Sequence, residues 1–326
     1  MNYVRLGRTG VQVSEICLGT MTFGQEADEP ASRALMDDAL ERGINFFDSA
    51  YNYNKGETER IVGRWLGPHR HEVFLTSKVF FPGGGGRNDE GLSRWNIRFA
   101  VEESLRRLQT DYIDLLYLHH WDANVDIEQS LGAAQLLIEQ GKVIYLGVSN
   151  FSAWQTMKTL CAAEKYGYPP VVCMQPMYNL VKRQAEVELL PLAEYTGMAV
   201  APYSPMGAGL LTGKYLEGGT GRLHEAEMYR QRYANPEYME IAKKFVAYAR
   251  EHGYSPAALA VAWTRTHPQI TAPIIGARTL AQWREALQCL DIPLSPEQRA
   301  EISALSVEPP LATDREPMDV FRKRGW

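Results

Sequence analysis

The chain has 326 residues, 45% of them hydrophobic and 22% charged, with a net charge of −5 and a pI near 5.9. This is globular composition with ample apolar surface for a core, and its acidic balance argues against a general nucleic-acid binder, which needs a basic face for phosphates. No apolar run approaches the ~18 residues of a membrane span, and "MNYVRLGRTG" lacks a signal-peptide core, so no membrane partner is expected.

In chain order, "YVRLGRTGVQVS" reads as a small hairpin, with Gly7 and Gly10 bounding its turn, placed to cover a barrel floor. Short apolar or β-branched runs then alternate with amphipathic stretches. "EICLGT" leads into a helical pattern over Ala31–Arg42, "NFFDSA" into Glu57–Leu66, "EVFLTSKV" into Ile97–Leu108 and "YIDLLYLHH" into Ile127–Gln140. "VIYLGVSN" leads into Trp154–Tyr166 and "VVCMQP" into Ala185–Thr196. "MAVAPYS" precedes Pro236–His252 and Pro256–Thr266, and "TAPIIGA" precedes Leu280–Leu290. A short helix near Pro296–Leu305 and a Pro-rich tail close the chain, with Arg322-Lys323-Arg324 reading as a solvated end.

Strand followed by helix, repeated, implies parallel strands joined by crossovers. Eight such units suit a closed (β/α)8 TIM barrel, whose usual length is roughly 250 residues plus insertions. Residues 1–326 therefore read as one barrel domain with an N-terminal β-hairpin and a C-terminal helix and tail. A doubly wound sheet would want a GxGxxG fingerprint after its first strand, and "CLGTMTFG" has none. Two insertions stand out, "FFPGGGGRNDEGLSRW" after the third barrel strand and Met206–Asn235 after the seventh.

Barrel chemistry sits at the C-terminal strand ends, which here carry Gly19-Thr20-Met21, Asp48, Lys78, His119, Ser149-Asn150, Gln175, Tyr203-Ser204 and Gly276-Ala277-Arg278. Strand ends meet water and turn polar in any barrel. Asp48 and Lys78 are harder to explain that way, because both lie against apolar runs where an unpaired charge is costly, so they are expected to pair. A Lys–Asp pair beside a tyrosine has a chemical use: a phenol with a reference pKa of about 10 is drawn down by ~1–3 units beside an ammonium. Such a set suits protonating a carbonyl oxygen while hydride reaches its carbon, and no side chain supplies hydride, so a nicotinamide is implied.

Together with "LGTMTFG", "FFDSAYNYNKGETERIVG", "LTSK", "SLRRLQTDYIDLLYLHHWD", "GVSNF", "QPMYNL", "YSPMGAGLLTGKY" and "PIIGARTLAQ", these features resemble the aldo-keto reductases over nearly the whole chain. The resemblance implies a tetrad: Tyr53 as general acid, Lys78 tuning it, Asp48 holding Lys78, and His119 orienting the carbonyl. It places Ser149, Asn150 and Gln175 on a nicotinamide carboxamide, Tyr203 beneath the ring, and Gly19, Thr20 and Met21 along the ribose. Ser204, Met206 and Lys214 would approach the pyrophosphate, and Gly276, Arg278, Gln282 and Glu285 the adenosine end. Arg278 is suited to a 2′-phosphate, which favours NADPH, with NADH possible. Two positions depart from the family pattern: Asn54 stands where Gly is common, and Ala286 where many relatives place Asn.

Tyr51, Phe80, Phe81 and Trp121 lie just past strand ends, where they would wall a pocket for a small carbonyl substrate or simply pack. The Gly83–Gly86 run is a candidate lid. "GAGLLTGKY" fails the Walker spacing, and the histidines and cysteines form no metal-ligand cluster, so no metal is expected. Cys17, Cys161, Cys173 and Cys289 read as buried free thiols of a cytoplasmic protein. The activity these features imply is NADPH-dependent reduction of an aldehyde or ketone. The alternative is a nicotinamide-binding regulatory or redox-sensing subunit, since "QPMYNL" and "GLSRWNI" also resemble the potassium-channel β subunits. A phosphate-binding barrel isomerase would need a glycine-rich loop after strand seven or eight, which is missing.

Overall fold

The computed structural model describes residues 1–313, so the basic Arg322–Arg324 cluster lies outside the described residues. Strands β1 (Tyr3–Arg5) and β2 (Gln12–Ser14) form the expected antiparallel hairpin, with Tyr3 opposite Ser14. The barrel strands follow as β3 (Cys17–Gly19), β4 (Phe46–Asp48), β5 (Phe74–Val79), β6 (Ile113–Leu118), β7 (Val143–Ser149), β8 (Val171–Gln175), β9 (Ala199–Val200) and β10 (Ile274–Ile275). They are parallel neighbours in the order β10-β3-β4-β5-β6-β7-β8-β9. At the remaining seam Ile274 N donates to Pro202 O at 2.9 Å and Thr271 N to Val200 O at 2.8 Å. The result is the (β/α)8 barrel.

The last two strands are much shorter than "MAVAPYS" and "TAPIIGA" suggest. Pro202 and Pro273 have no N–H to give a ladder, which trims pairing at both places. The helix expected over Ala185–Thr196 is broken: a 3-10 turn covers Gln184–Glu186, Glu188 has φ −140°, and the α-helix runs Leu189–Thr196. The helix expected from Ile97 starts a turn earlier, at Arg94, because the Ser93 side chain caps Asn96 N at 3.1 Å.

The hairpin closes the floor. Leu6 and Val13 pack into one cluster with Cys17, Phe46, Phe74, Leu115, Tyr117 and Cys173. Gly7 makes this possible: its φ is 55°, and a Cβ there would lie 3.0 Å from Val172 O, Gly197 O and Ala199 N, at the start of β8 and β9. Alternation then determines what reaches the top. Residues two apart share a face, so Phe46 leads to Asp48, Phe74 to Thr76 and Lys78, Leu115 to Tyr117 and His119, and Cys173 to Gln175. Each inward row is apolar below and polar at the rim, which is how one barrel combines a dry core with a chemical surface. The opposite faces pack on the helices, Phe47, Leu75 and Leu116 lying in the larger cluster with Leu35, Ile61 and Ile97.

Cys17, Cys173 and Cys289 are buried as expected, but Cys161 is exposed, because it falls on the outer side of helix Ala153–Tyr166. No helix among the described residues is long and apolar enough to cross a membrane.

Candidate active site

Lys78 is fully buried on β5, and its ammonium has three acceptors: Asp48 Oδ2 at 2.6 Å, Ser49 O at 2.7 Å and Tyr53 Oη at 3.1 Å. The other oxygen of Asp48 accepts from Thr76 Oγ1 and from Gln175 Nε2, both at 2.8 Å. The pairing anticipated for Asp48 and Lys78 is therefore present, and the carboxylate ties together the ends of β4, β5 and β8. Burial alone would lower the Lys78 pKa, but Asp48 and Tyr53 outweigh it and hold the value above the ordinary one, so the ammonium persists.

The phenol behaves differently from expectation. Burial raises the Tyr53 pKa by more than the attraction of Lys78 lowers it, so the net shift is upward. His119 lies edge-on to Tyr53, with ring centroids 6.3 Å apart. Burial, helped by Lys78 and His120, pushes its pKa well below the usual imidazole range, and its Nδ1 is buried without a partner. It is neutral at pH 7.

The turn after Tyr53 absorbs the departure at Asn54. Asn54 and Lys55 both have positive φ, 45° and 53°, and the Asn54 amide donates to Gly24 O at 2.7 Å. Asparagine tolerates this left-handed geometry better than other residues with a Cβ, and its side chain ties the Tyr53 turn to the loop after β3.

Around the rim, Asn150 (φ 56°) donates to His119 O at 3.0 Å and Ser149 Oγ at 3.1 Å, and accepts from Tyr203 Oη at 2.7 Å. Ser149 Oγ donates to Gln175 O at 2.9 Å. Ser149, Asn150, Gln175 and Tyr203 thus form one network. Thr20 is fully buried with its hydroxyl on Asp48 O at 2.9 Å, leaving Met21 the most open residue of the Gly19–Met21 segment. Gly276 is exposed, and a Cβ on it would meet only Gly19 O, at 3.5 Å, whereas Gly19 is buried and a Cβ there would lie 2.7 Å from the Ile274 side chain.

Further out, Arg278 pairs with Glu26 at 2.7 Å and Glu225 at 3.5 Å, while Arg222 pairs with Glu26 at 2.8 Å. Lys214 lies close by: burial, with Arg278 and Arg222 adding to it, lowers its pKa. Met206 and Ser204 (φ 59°) lead into this loop, and Gln282 accepts from Arg278 N at 3.1 Å. Glu285 points elsewhere, accepting from Ser255 Oγ at 2.7 Å beside the N-terminus of helix Pro256–Arg265. Ala286 is buried in the core. Glu26, Arg222 and Glu225 were not anticipated: Glu26 lies in a loop and Arg222–Glu225 is a single helical turn, too short to show a period.

Of the expected pocket wall, Phe81 lies 5.0 Å from the His119 ring, Phe80 5.2 Å from His120, and Trp121 packs edge-on to Phe151 and Trp154. Tyr51 does not belong with them. It is 1% exposed, and its hydroxyl donates to Asp89 Oδ1 at 2.6 Å beneath the glycine-rich loop. The chain turns at Asn52, whose φ of −88° and ψ of −10° are helical rather than extended, and Tyr53 N donates to Ala50 O at 3.1 Å; this ends the strand alternation, sending Tyr53 to Lys78 and Tyr51 under the loop. Trp154 reads in the sequence as a helix residue, and the side-by-side C-terminal ends of the parallel neighbours β6 and β7 bring it to Trp121.

An α/β barrel with its acid–base groups gathered at the C-terminal rim is laid out as barrel enzymes are. Residues 15–307 match the sequence profile of the Aldo/keto reductase family. The chain is 40% identical to the uncharacterized oxidoreductase YrpG of Bacillus subtilis, over 91% of this chain and 93% of that one. It is 35% identical to a probable voltage-gated potassium channel subunit beta of Oryza sativa subsp. japonica (96% and 99%) and 32% identical to norsolorinic acid reductase A of Aspergillus parasiticus (95% and 80%). The chain belongs to the aldo/keto reductase family and is an NAD(P)H-dependent oxidoreductase.

Proposed function

We propose that the protein reduces aldehydes or ketones to alcohols with NADPH, and that Tyr53 is the general acid. The observation that carries this reading is the Lys78 ammonium held between Asp48 and the Tyr53 hydroxyl at 2.6 and 3.1 Å.

The rim suits a nicotinamide dinucleotide on three counts. Exposed Gly276 leaves room for close approach, the Gln175 amide oxygen accepts no hydrogen bond among the described residues, and Lys214, Arg222 and Arg278 outnumber the carboxylates Glu26 and Glu225 near them. The cation surplus supports a phosphate-bearing ligand, and Arg278 as partner of a 2′-phosphate favours NADPH over NADH. When bound, the cofactor supplies hydride. Tyr53 gives its proton to the carbonyl oxygen, and Lys78 stabilises the phenolate left behind. Asp48 fixes Lys78 and is fixed in turn by Thr76 and Gln175. His119, neutral because it is buried, orients the carbonyl as a hydrogen-bond donor. The raised Tyr53 pKa keeps the acid loaded at neutral pH.

The likeness to a potassium channel subunit beta supports a second reading, a cofactor-bound regulatory subunit. One assay separates the two. Purified protein is expected to oxidise NADPH with an aromatic aldehyde, and Tyr53→Phe to lose that turnover while still quenching NADPH fluorescence. Unchanged turnover in the variant would sink the mechanism, and no turnover in the wild type would favour the regulatory reading.

A further inference from the structure

The loop after β5 closes on itself, with Gly91 N donating to Phe80 O at 2.8 Å. Its far stem is fixed: Leu92 N donates to Asp122 Oδ2 at 2.8 Å, and Ser130 Oγ to Leu92 O at 2.8 Å. The tip is held differently. Gly84, Gly86, Arg87 and Asn88 are exposed, yet Asp89 in their midst is 1% exposed. Both of its oxygens are used: Oδ1 accepts from Tyr51 Oη at 2.6 Å, and Oδ2 from Gly83 N at 2.9 Å and from Gly85 N.

Tyr51 lies two residues before Tyr53 and is itself anchored. The Arg107 guanidinium lies 4.7 Å from its ring centre and donates to its carbonyl at 2.9 Å. Gly83 rests directly on the phenol, where a Cβ would come within 2.5 Å of the ring. Asp89 has no salt-bridge partner among the described residues, and a carboxylate so placed tolerates such burial only while its donors are all in place. Losing one favours release of Asp89 to water together with the tip it holds. Phe81, at the near end of the loop, lies 5.0 Å from His119, so the position of the tip bears on the pocket.

We infer that Tyr51 and Asp89 form a latch that sets the position of the Gly83–Gly86 loop, and through Phe81 the fit of the substrate. Tyr51 is then a positioning residue for substrate binding, joined through the backbone to the segment that carries Tyr53. The inference rests on the carbonyl-reductase reading only in its kinetic arm.

Exposed Arg87 provides a direct probe, because trypsin cuts after arginine once the loop opens. Tyr51→Phe removes one hydroxyl and keeps the ring beneath Gly83. Cleavage after Arg87 is expected to rise about tenfold or more. The KM for an aromatic aldehyde should rise by a similar factor, while kcat stays within about twofold and NADPH affinity is unchanged. Asp89→Ala should open the loop at least as far. Asp89→Asn should stay close to wild type, since its oxygen still accepts from the two amides and its NH2 donates to the Tyr51 oxygen. Wild-type cleavage in Tyr51→Phe would overturn the latch, as would Asp89→Asn opening as far as Asp89→Ala. Faster cleavage with an unchanged KM would overturn the link to substrate. A wild type without turnover would refute the reductase reading instead, and the proteolysis, run without substrate, would still decide the latch.

Discussion

Replacing Lys78 with Met tests whether the buried pair is the structural centre of the site. The ammonium has no exposed side-chain surface and lies 2.6 Å from Asp48. At an effective dielectric near 20, the attraction across that distance is about 6 kcal/mol. Desolvating both ions costs several kcal/mol each, so the pair itself is close to neutral for stability. Removing one partner is another matter, because Asp48 stays buried: the usual cost is about 3–5 kcal/mol. Thr76 and Gln175 still donate to Asp48, which argues for the lower end, about 3 kcal/mol. Asp48→Asn alone should also destabilise, and the double variant should lose less than the two singles together, with coupling on the order of 2 kcal/mol. Guanidinium unfolding curves with unchanged slope read these values directly. Strict additivity, or a Lys78→Met protein within about 0.5 kcal/mol of wild type, would refute the reasoning.

Four further outcomes follow from the structure. Tyr53 must be protonated to act as an acid and burial raises its pKa, so carbonyl reduction should hold steady through neutral pH and fall only above pH ~10. His119 is shifted well below the usual imidazole range and should add no inflection between pH ~6 and 8; a clear one in kcat/KM there would contradict its neutral state. Asn54→Ala should cost about 1–2 kcal/mol, since it keeps the strained φ of 45° and loses the bond to Gly24 O, and Asn54→Gly should cost less; the reverse order in denaturant midpoints would count against the turn. A thiol reagent should label one cysteine quickly in the native protein and none quickly in Cys161→Ser, because Cys161 is exposed while burial pushes the buried Cys173 and Cys289 thiols up to about 12.

The barrel was legible because its signals are local: each inward strand row changes from apolar to polar within two to four residues, as in Phe46–Asp48 and Phe74–Lys78, and each crossover carries a helical period. The pairing of Asp48 with Lys78 was legible for a physical reason, the cost of an unpaired charge against an apolar run. The choice of Tyr53 over Tyr51 was not available from alternation, which puts both phenols on one face. It came from resemblance, and the structure gives the reason alternation fails between the two: the backbone turns at Asn52, which is helical at φ −88° and ψ −10°. Residues such as Asp89, Arg107 and Glu26 were illegible because their partners lie in other loops or helices, 38, 56 and 196 positions away in the pairs they make with Tyr51 and Arg222. The direction of the Tyr53 shift was missed for a different reason. Sequence shows which charges are near, but the extent of burial decides the sign.

On the reading proposed for Tyr53, that sign changes how the phenol would work. A tyrosine drawn down toward neutrality would act by being easily deprotonated, and it would spend part of its time as an idle phenolate. A tyrosine held above its ordinary value stays protonated, and the ammonium 3.1 Å away matters mainly after the proton has left. Burial that destabilises the phenolate also removes the water that would screen Lys78 from it, so the two effects share one cause. Asp48 fits this scheme better as a clamp than as a proton carrier. It already accepts from Thr76, Gln175 and Lys78, and none of these contacts leads to the phenol except through Lys78. The inner barrel face is built in layers, with apolar side chains at the base, a fixed carboxylate above them, an ammonium bound to it, and at the rim the phenol that the proposed reading makes the acid.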